Sequence, residues 1–380
     1  MNNQADVIVV GAGASGLMAA CLLAESGKKV AVLEAKPRCG GRIHTYTDDQ
    51  FAQPVELGAE FIHGNLPLTL QLATEAGLQV QPVTGAYYTH TGKQLVKDES
   101  NGLNKEVEQA LKELKTDLSV ADFLKTLGNK ITAEEKDEVR GYVSGYYAAD
   151  VAKASTQALK EEWFADKGDD KRITGGYKLM VDYLIQRCTA AGATILLEHA
   201  VTGVDWSSDA VQVHCGEQSF VCKQVLLTVP LGVLQAHVMD INPYPQPLTE
   251  ALAALGFGAV IKFQFQFTRA FWREAAPGAS MLFSDEDVPT WWTQHPQQNN
   301  LLSGWLAGDE AKPWVGLNRF QLKEKALTSL AHIFDKPVQE LEANVSAWYI
   351  NNWSKGPFAR GGYSYATVAG EAWKRTHEPY

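Results

Sequence analysis

Three glycines and one acidic residue near the start of the chain have the spacing that binding a pyrophosphate and a ribose requires. The run "GAGASG" directly follows the apolar stretch "DVIVV" and contains Gly11, Gly13 and Gly16. Gly11 permits a tight turn, Gly13 lets the backbone approach a phosphate, and Gly16 lets a helix and a strand pack closely. Glu34 lies about 20 residues further on, where a carboxylate can accept hydrogen bonds from ribose hydroxyls. The pattern predicts a dinucleotide site, because a glycine-rich turn without a ligand would leave Glu34 unexplained.

A lysine inside an apolar stretch is the second residue that could do chemistry. The stretch "GAVIKFQFQF" alternates as a β-strand does, which places Lys262 and two glutamines on one face. The apolar residues of the other face are Ile261, Phe263, Phe265 and Phe267. Alternating strands usually have one solvated face, so the strand alone favours a lysine in contact with water. The alternative is a lysine aimed at a bound group.

Two strands and a helix are predicted to position the glycines and the acid. The first strand, Asp6–Val10, leads into the glycines, and the second, Lys29–Leu33, ends at Glu34. The helix between them ends near Gly27. Its apolar stripe consists of Leu17, Ala20, Cys21 and Ala24. This is a βαβ unit, in which the helix N-terminus offers free N–H groups to phosphate.

The composition is that of an acidic globular chain with about two domains. The chain has 380 residues, 45% of them hydrophobic and 21% charged, and this length exceeds one ordinary core. Its net charge of -10 argues against nucleic acid as a partner. The 5 cysteines include no Cys-x-x-Cys pair, which argues against a disulfide framework or a zinc site. Without a signal-peptide pattern or a long apolar run, a cytoplasmic protein is expected.

Two stretches after Glu34 carry a resemblance to a known family. "AKPRCGGRIHT" and "VELGAEFIHG" resemble parts of the flavin-dependent amine oxidases, which include polyamine oxidases, monoamine oxidases, amino-acid oxidases and lysine-specific histone demethylases. The resemblance implies FAD as the cofactor. It places Gly41 and Arg42 at the pyrophosphate, which a planar guanidinium binds by charge-assisted hydrogen bonds. It places Gly58 and Ala59 beside the isoalloxazine.

Further stretches extend the resemblance over most of the chain, in the order of the family. They are "RITGGYKLMVDYL", "ILLEHAVTGVDW", "VLLTVPLGVL" and "WYINNWSKGPFARGGYSY". Together they favour FAD over NAD. The residues that the glycine motif and the resemblance assign to the cofactor are Gly11, Gly13, Ala14, Ser15, Gly16, Glu34, Arg38, Gly41, Arg42, Gly58, Ala59, Glu60, Val201 and Trp353.

The resemblance also implies a catalytic lysine and an amine substrate. In this family the matching lysine points at the reactive flavin nitrogen and holds a water there, so Lys262 is assigned to catalysis. Glu60 and His63 are assigned to the substrate, because "GAEFIHG" is most similar to polyamine oxidases and could bind a second, charged nitrogen at the cavity mouth. Tyr363 is assigned to the substrate because it matches an aromatic position near the flavin. A surface acid at Glu60 and core packing by Tyr363 and Trp353 remain open. The absence of arginine from Leu57 to Gly64 argues against an amino-acid substrate.

Two long insertions separate the stretches that resemble the family, which predicts a discontinuous FAD-binding domain. We expect an α/β, Rossmann-like FAD-binding domain made of residues 1–82, 172–236 and 355–380. The expected α+β substrate domain is inserted as residues 83–171 and 237–354. The first insertion is predicted to be helical, because "SVAD" and "TAEE" have the pattern of capping boxes.

The predicted function is FAD-dependent oxidation of a polyamine or similar amine to an imine or aldehyde, with reduction of oxygen to hydrogen peroxide. Gly362 stands where monoamine oxidases attach the flavin through cysteine, so noncovalent FAD is expected. The family's final "FAGE"-like motif does not follow "EAWKRTHEPY", so a separate C-terminal fragment is expected to complete the site. The alternatives are an FAD-dependent desaturase or porphyrinogen oxidase-like enzyme, and a catalytically impaired chain with the flavin fold. No metal is expected.

Overall fold

The structure is a computed structural model that describes residues 4–92, 94–98, 104–164 and 168–368. The end of the predicted segment 355–380 lies outside the described residues. The strands, numbered in chain order, are β1 (Gln4–Val10), β2 (Val30–Leu33), β3 (Thr45–Tyr46), β4 (Val55–Glu56), β5 (Val80–Pro82), β6 (Ala86–Thr91), β7 (Gln94–Asp98), β8 (Lys171–Ile173), β9 (Thr194–Leu196), β10 (Gly203–Asp205), β11 (Val211–Cys215), β12 (Gln218–Leu227), β13 (Asp240–Asn242), β14 (Leu255–Phe257), β15 (Val260–Phe267), β16 (Ala279–Phe283), β17 (Thr290–Trp292), β18 (Leu301–Ala307), β19 (Val345–Asn352) and β20 (Ser364–Ala366).

The helices are numbered in the same way. They are α1 (Ala14–Glu25), α2 (Pro67–Glu75), α3 (Lys105–Glu113), α4 (Val120–Thr126), α5 (Ala133–Tyr147), α6 (Thr156–Trp163), α7 (Lys178–Ala190), α8 (Leu231–Gln235), α9 (Gln246–Ala253), α10 (Trp272–Ala275), α11 (Gly308–Ala311), α12 (Arg319–Ile333) and α13 (Val338–Asn344), with a 3-10 turn at Lys312–Trp314. Among the described residues, no helix is long and apolar enough to cross a membrane.

The first of two large sheets carries the predicted βαβ unit. Its strand order is β13, β10, β11, β12, β1, β2, β9. β1 is parallel to β12 and to β2, and β2 is parallel to β9, as the crossover helix α1 requires. Because β1 and β2 end at the same edge of the sheet, the turn at Gly11 and the acid Glu34 come together there. The α/β, Rossmann-like fold class is confirmed.

Helix α1 covers this sheet with the predicted stripe. Its buried residues are Gly16, Leu17, Ala20, Cys21 and Ala24. They join a core that also contains the buried face of α7. Gly27 follows the helix with a φ of 84°, a left-handed conformation that glycine adopts without a side-chain clash. The helix and its stop are therefore confirmed.

The second large sheet contains the lysine strand, β15, as an interior strand next to the edge strand β19. Its order is β19, β15, β18, β17, β16, β6, β7, and β15 is antiparallel to both of its neighbours. Every residue of β15 is buried. The prediction of a solvated face, which the alternation favours, is therefore wrong. The polar face instead meets the chain that follows β4, where Gln264 Nε2 donates to Glu56 O at 2.7 Å and Lys262 Nζ donates to Gly58 O at 3.1 Å.

Helices α3 to α6 share one apolar core. Thr132 begins α5 with the complete predicted capping box. Ser119 caps α4 by accepting from Asp122 N, but the Asp122 carboxylate accepts from the Ser119 hydroxyl instead of the backbone N–H. The helical prediction for residues 83–171 is only partly right, because β6 and β7 form a hairpin that joins the second sheet. The tyrosines and threonines of β6 favour extended structure. The domain boundaries stay a prediction.

Candidate active site

A cavity of about 360 Å³ extends from the carboxyl ends of β1 and β2 to β15 and β18. The predicted cofactor residues that line it are Gly11, Gly13, Ala14, Ser15, Glu34, Gly41, Arg42, Gly58, Ala59, Val201 and Trp353. Tyr363, predicted to bind substrate, also lines it. The predicted site residues that lie outside the lining are Gly16, Arg38, Glu60, His63 and Lys262.

The glycine turn forms one end of the cavity. Gly13 is the N-cap of α1 and no side chain caps this helix, so the N–H groups of its first turn are available to a ligand. Gly16 lies beneath the turn, where a β-carbon would be 2.0 Å from Gly11 O, so its role is close packing. The carboxylate of Glu34 accepts from Ala12 N at 2.7 Å and from Lys36 N at 3.0 Å. These two bonds fix the carboxylate at the end of β2.

The two arginines of the "AKPRCGGRIHT" stretch have different positions. Arg42 lines the cavity and donates from Nη1 to Gly362 O at 2.6 Å. Burial lowers the pKa of Arg42, because it removes the guanidinium from water. Arg38 instead donates to three carbonyl oxygens of its own loop, one of them of Gly41 at 3.0 Å. It shapes the loop that presents Gly41, and a contact of Arg38 with the cofactor stays a prediction.

Lys36 and Trp305 are two of the lining residues that the predicted set does not include. The Lys36 ammonium is 5.4 Å from the centre of the Trp353 ring, and burial followed by the charge of Arg38 lowers the pKa of Lys36. The sequence could have indicated Lys36 as a cavity residue, because it lies two residues after Glu34 at the end of the same strand. Trp305 lies opposite Lys262 in the β15–β18 pairing, a register that no local sequence pattern encodes.

Aromatic rings form the other end of the cavity. The Trp305 and Tyr363 rings are 5.9 Å apart. Each tryptophan is anchored by its indole, because Trp353 Nε1 donates to Leu57 O and Trp305 Nε1 donates to Gly145 O, both at 2.8 Å. Tyr363 is 41% exposed, so its ring faces the opening and not a packed core.

Lys262 and Glu60 form a buried ion pair behind the cavity wall. Lys262 Nζ donates to Glu60 Oε2 at 2.7 Å, and the two residues are 1% and 7% exposed. Burial opposes ionisation of Glu60, but the charges of Lys262 and Arg172 outweigh it, so the pKa of Glu60 lies below its ordinary value. Glu60 is therefore neither a surface acid nor a group at the cavity mouth, which corrects both readings.

His63 lies nearer the surface, away from the cavity lining. Its Nδ1 is 3.1 Å from Asp170 Oδ1, and both side chains are about two-fifths exposed. The Tyr146 ring is 5.5 Å from the His63 ring in an edge-on arrangement. The sequence pattern does not indicate Asp170, because it comes from a segment 107 residues further on.

The residues of the cavity fit FAD. An uncapped helix N-terminus and a buried arginine suit a pyrophosphate. The carboxylate at the end of β2 suits a ribose, and the aromatic end suits a flat ring system. A β-carbon at Gly58 would lie 1.9 Å from Arg42 O, so the wall segment beside the aromatic end packs directly on the arginine loop. When bound, FAD supplies the redox chemistry.

Fold and site together define an oxidoreductase that uses a flavin. The sequence model of the family described as flavin containing amine oxidoreductase matches residues 14–139 and 128–379. The chain belongs to this family, and FAD is its cofactor. The predicted family and cofactor are confirmed.

Curated relatives include enzymes with different substrates. A probable polyamine oxidase from Arabidopsis thaliana is 29% identical over 97% of this chain and 78% of its own length. Lysine-specific histone demethylase 2 from Homo sapiens is 28% identical over 96% of this chain and 47% of its own length. Flavin-containing amine oxidase A from Equus caballus is 25% identical over 94% of this chain and 75% of its own length.

Solved structures share the fold. A putrescine oxidase bound to putrescine superposes with a TM-score of 0.79 at 22% identity, over 99% of this chain and 91% of the other. Cyclohexylamine oxidase from Brevibacterium oxydans superposes with a TM-score of 0.77 at 21% identity, over 97% and 89% of the two chains.

Proposed function

We propose that the chain oxidises a small di- or polyamine. In the net reaction the amine loses two hydrogens to form an imine and oxygen gains them to form hydrogen peroxide, after which water converts the imine to an aldehyde and releases ammonia or an amine. The observation that carries the proposal is a single cavity with a dinucleotide cradle at one end and an aromatic wall, Trp305 and Tyr363, at the other. FAD is proposed to bind noncovalently, since Gly362 lines the cavity without a thiol.

The aromatic end suits an amine that reacts as the neutral base. A low-dielectric pocket disfavours the charged ammonium, and the ring faces hold an alkyl chain in place. Lys262 is proposed to assist the oxygen reaction or imine hydrolysis. Support comes from the position of its ammonium, which contacts the carbonyl oxygen of Gly58, a residue of the cavity wall.

A row of rings supports a substrate with a second nitrogen. Trp292 lies 6.1 Å from Trp305, Phe61 lies 5.6 Å from Trp292, and His63 lies 5.7 Å from Phe61, between ring centres. Beside His63, the Asp170 carboxylate is an exposed anion that can attract an ammonium. A polyamine long enough to reach His63 is proposed to react at the aromatic wall while its distal ammonium lies near Asp170.

A peroxide assay tests the proposed function. Purified, FAD-loaded protein is incubated in air with putrescine, spermidine, a simple alkyl monoamine, an amino acid and a methylated lysine peptide. Peroxide formation with the di- and polyamines, at rates above those with the other compounds, is expected. Peroxide only with the peptide would favour a demethylase. If none of the compounds causes a loss of flavin absorbance, an amine oxidase of this substrate range is excluded.

We also propose that a separate polypeptide fragment pairs with the outer edge of β12. From Lys223 onwards β12 pairs only with β1 among the described strands, and Leu226 on this stretch is 38% exposed. An unpaired edge with an exposed leucine is a template for an added strand. Intact mass and a denaturing gel of active protein are expected to reveal the second polypeptide. Full FAD occupancy and turnover by one 380-residue species would contradict it.

A further inference from the structure

The carboxylate of Glu60 is surrounded by donors from separate parts of the chain. Oε2 accepts from Lys262 Nζ at 2.7 Å, and Oε1 accepts from Trp292 Nε1 and Gln294 Nε2, each at 3.0 Å. Arg172 Nε lies 3.1 Å from Oε1, but its N–H does not point at the oxygen, so this contact is an ion pair without a hydrogen bond. Both carboxylate oxygens are thus occupied by protein donors.

The Lys262 ammonium depends on Glu60 for its charge balance. Its other contacts are the carbonyl oxygen of Gly58 at 3.1 Å and the Trp292 ring, whose centre is 5.0 Å away. Neither contact carries a negative charge. Arg172, by contrast, also donates from Nη2 to Thr293 O at 3.1 Å and lies over the Phe61 ring.

One further carboxyl group faces this cluster. Glu56 is buried, and burial raises its pKa to about 7, against the opposing effect of Lys262 and with a smaller contribution from Glu60. Its Oε1 accepts from Tyr177 N at 2.6 Å, and the Thr45 hydroxyl lies 2.8 Å from Oε1 and 3.0 Å from Oε2. Glu56 is therefore committed elsewhere. Without Glu60, the cations of Lys262 and Arg172 would share a buried site and have no carboxylate in contact.

We propose that Glu60 is the positioning residue of Lys262, holding its ammonium fixed against Gly58 O behind the cavity wall, and that Glu60 contacts neither FAD nor substrate. The inference rests on the proposed role of Lys262. It makes Glu60, the acid of the "GAEFIHG" stretch, the partner of Lys262. The sequence pattern does not predict this pairing, because 202 residues separate the two.

The test compares the rate at which flavin absorbance recovers in oxygen after reduction by substrate, from about pH 6 to about pH 9, in holoenzyme variants. Lys262→Met is expected to slow recovery at least about tenfold at every pH. Glu60→Gln is expected to recover within about threefold of wild type at the low end and about tenfold slower at the high end, because a buried ammonium without a counter-ion loses its proton more readily. Glu60→Asp, which keeps the charge, is expected to restore the wild-type profile.

Two further variants separate positioning from a structural role. In the Lys262→Met background, adding Glu60→Gln is expected to change recovery by less than about twofold, because residues that act through one another are not additive. Thermal unfolding of the FAD-free proteins is expected to show the same coupling, with Glu60→Gln costing less in the Lys262→Met background. Glu25→Gln, which breaks the ion pair with Arg187 on α7, is the control and is expected to leave the pH profile unchanged.

The outcomes distinguish the two proposals. If Lys262→Met recovers at the wild-type rate, the proposed role of Lys262 fails and Glu60 has nothing to position. If Lys262→Met is slow while Glu60→Gln matches wild type at every pH, Lys262 keeps its role and the positioning inference is overturned. Additive effects in the double variant would likewise overturn it, as would an unchanged slow profile in Glu60→Asp.

Discussion

Arg42 Nη1 donates a hydrogen bond of 2.6 Å to the carbonyl oxygen of Gly362, which lies 320 residues further along the chain. Both residues line the cavity, so this bond joins the loop after β2 to the aromatic end. A guanidinium has five N–H donors, and Gly362 takes one of them. The arginine can therefore hold the cavity wall and still offer donors to a pyrophosphate.

Replacing Glu34 by glutamine is expected to weaken FAD binding. Glutamine keeps an oxygen that can accept from the ribose but loses the charge, so each bond should weaken by less than the about 1.5 to 3 kcal/mol that a hydrogen bond to a charged group contributes. Titration of the FAD-free protein with FAD measures the effect. Glu25→Gln changes a carboxylate of the same region that lies outside the cavity, and its affinity should equal that of wild type. An unchanged affinity in Glu34→Gln would contradict the ribose assignment.

Replacing Asp170 by asparagine is expected to raise the KM for a long polyamine and leave the KM for monoamines unchanged. An exposed charge contact contributes roughly 0.2 to 1 kcal/mol, so the increase should be between about 1.4- and fivefold. Steady-state kinetics with spermidine and a simple alkyl monoamine measure it. Asp169→Asn is the matched control one residue away. Equal changes for both amines would argue against a distal subsite at His63 and Asp170.

Stability is expected to depend on pH through Glu56. Its pKa is raised from 4.5 to about 7 by burial, so between these values the folded protein binds a proton that the unfolded chain has released. Protonation of Glu56 in the folded protein stabilises it by up to about 3 kcal/mol. This stabilisation is complete below the unfolded-state pKa of 4.5 and is lost as the pH rises through the folded-state pKa of about 7. His44, whose pKa burial lowers to about 4, acts in the opposite direction.

The variant Glu56→Gln isolates the contribution of Glu56. Urea unfolding of FAD-free wild type and variant at about pH 5 and about pH 8 gives the difference in the free energy of unfolding. Relative to the variant, the wild type should lose stability on going to the higher pH. A parallel pH dependence in both proteins would show that Glu56 titrates normally.

Acid precipitation of the holoenzyme is expected to leave all of the flavin in the supernatant. Gly362 carries no sulfur that could form a covalent link, and hydrogen bonds to a cofactor do not survive unfolding. Absorbance spectra of supernatant and pellet measure the partition. Flavin that stays with the pellet would point to attachment at another residue.

The sequence predicts the cofactor end of the site well because that end is built locally. The glycine turn, α1 and Glu34 belong to one βαβ unit, so their spacing along the chain determines their arrangement in space. Arg38 shows the limit of this reasoning. Its motif is local, but only the structure shows that its donors turn back to the carbonyl oxygens of its own loop.

The aromatic end of the cavity and the lysine behind it depend on pairings between distant segments, which a single sequence does not reveal. Alternation suggests a solvated face for Lys262, whereas the chain around Glu56 and Gly58 packs on that face and every residue of β15 is buried. The strand register that sets Trp305 opposite Lys262 is likewise invisible in either strand alone. Glu60 has the sequence context of a cavity-mouth acid and becomes the partner of the lysine only through tertiary packing.

The parallel pairing of β1 with β12 has a consequence for how the protein folds. The Thr228 hydroxyl donates to Gly11 O across 217 residues of chain, so the glycine turn is complete only after most of the polypeptide has been made. Contacts of such long sequence separation form slowly. A ligand that binds only the folded chain adds about 2.7 kcal/mol of stability at one hundred times its dissociation constant. FAD is therefore expected to raise the fraction of folded protein as well as to load the cavity.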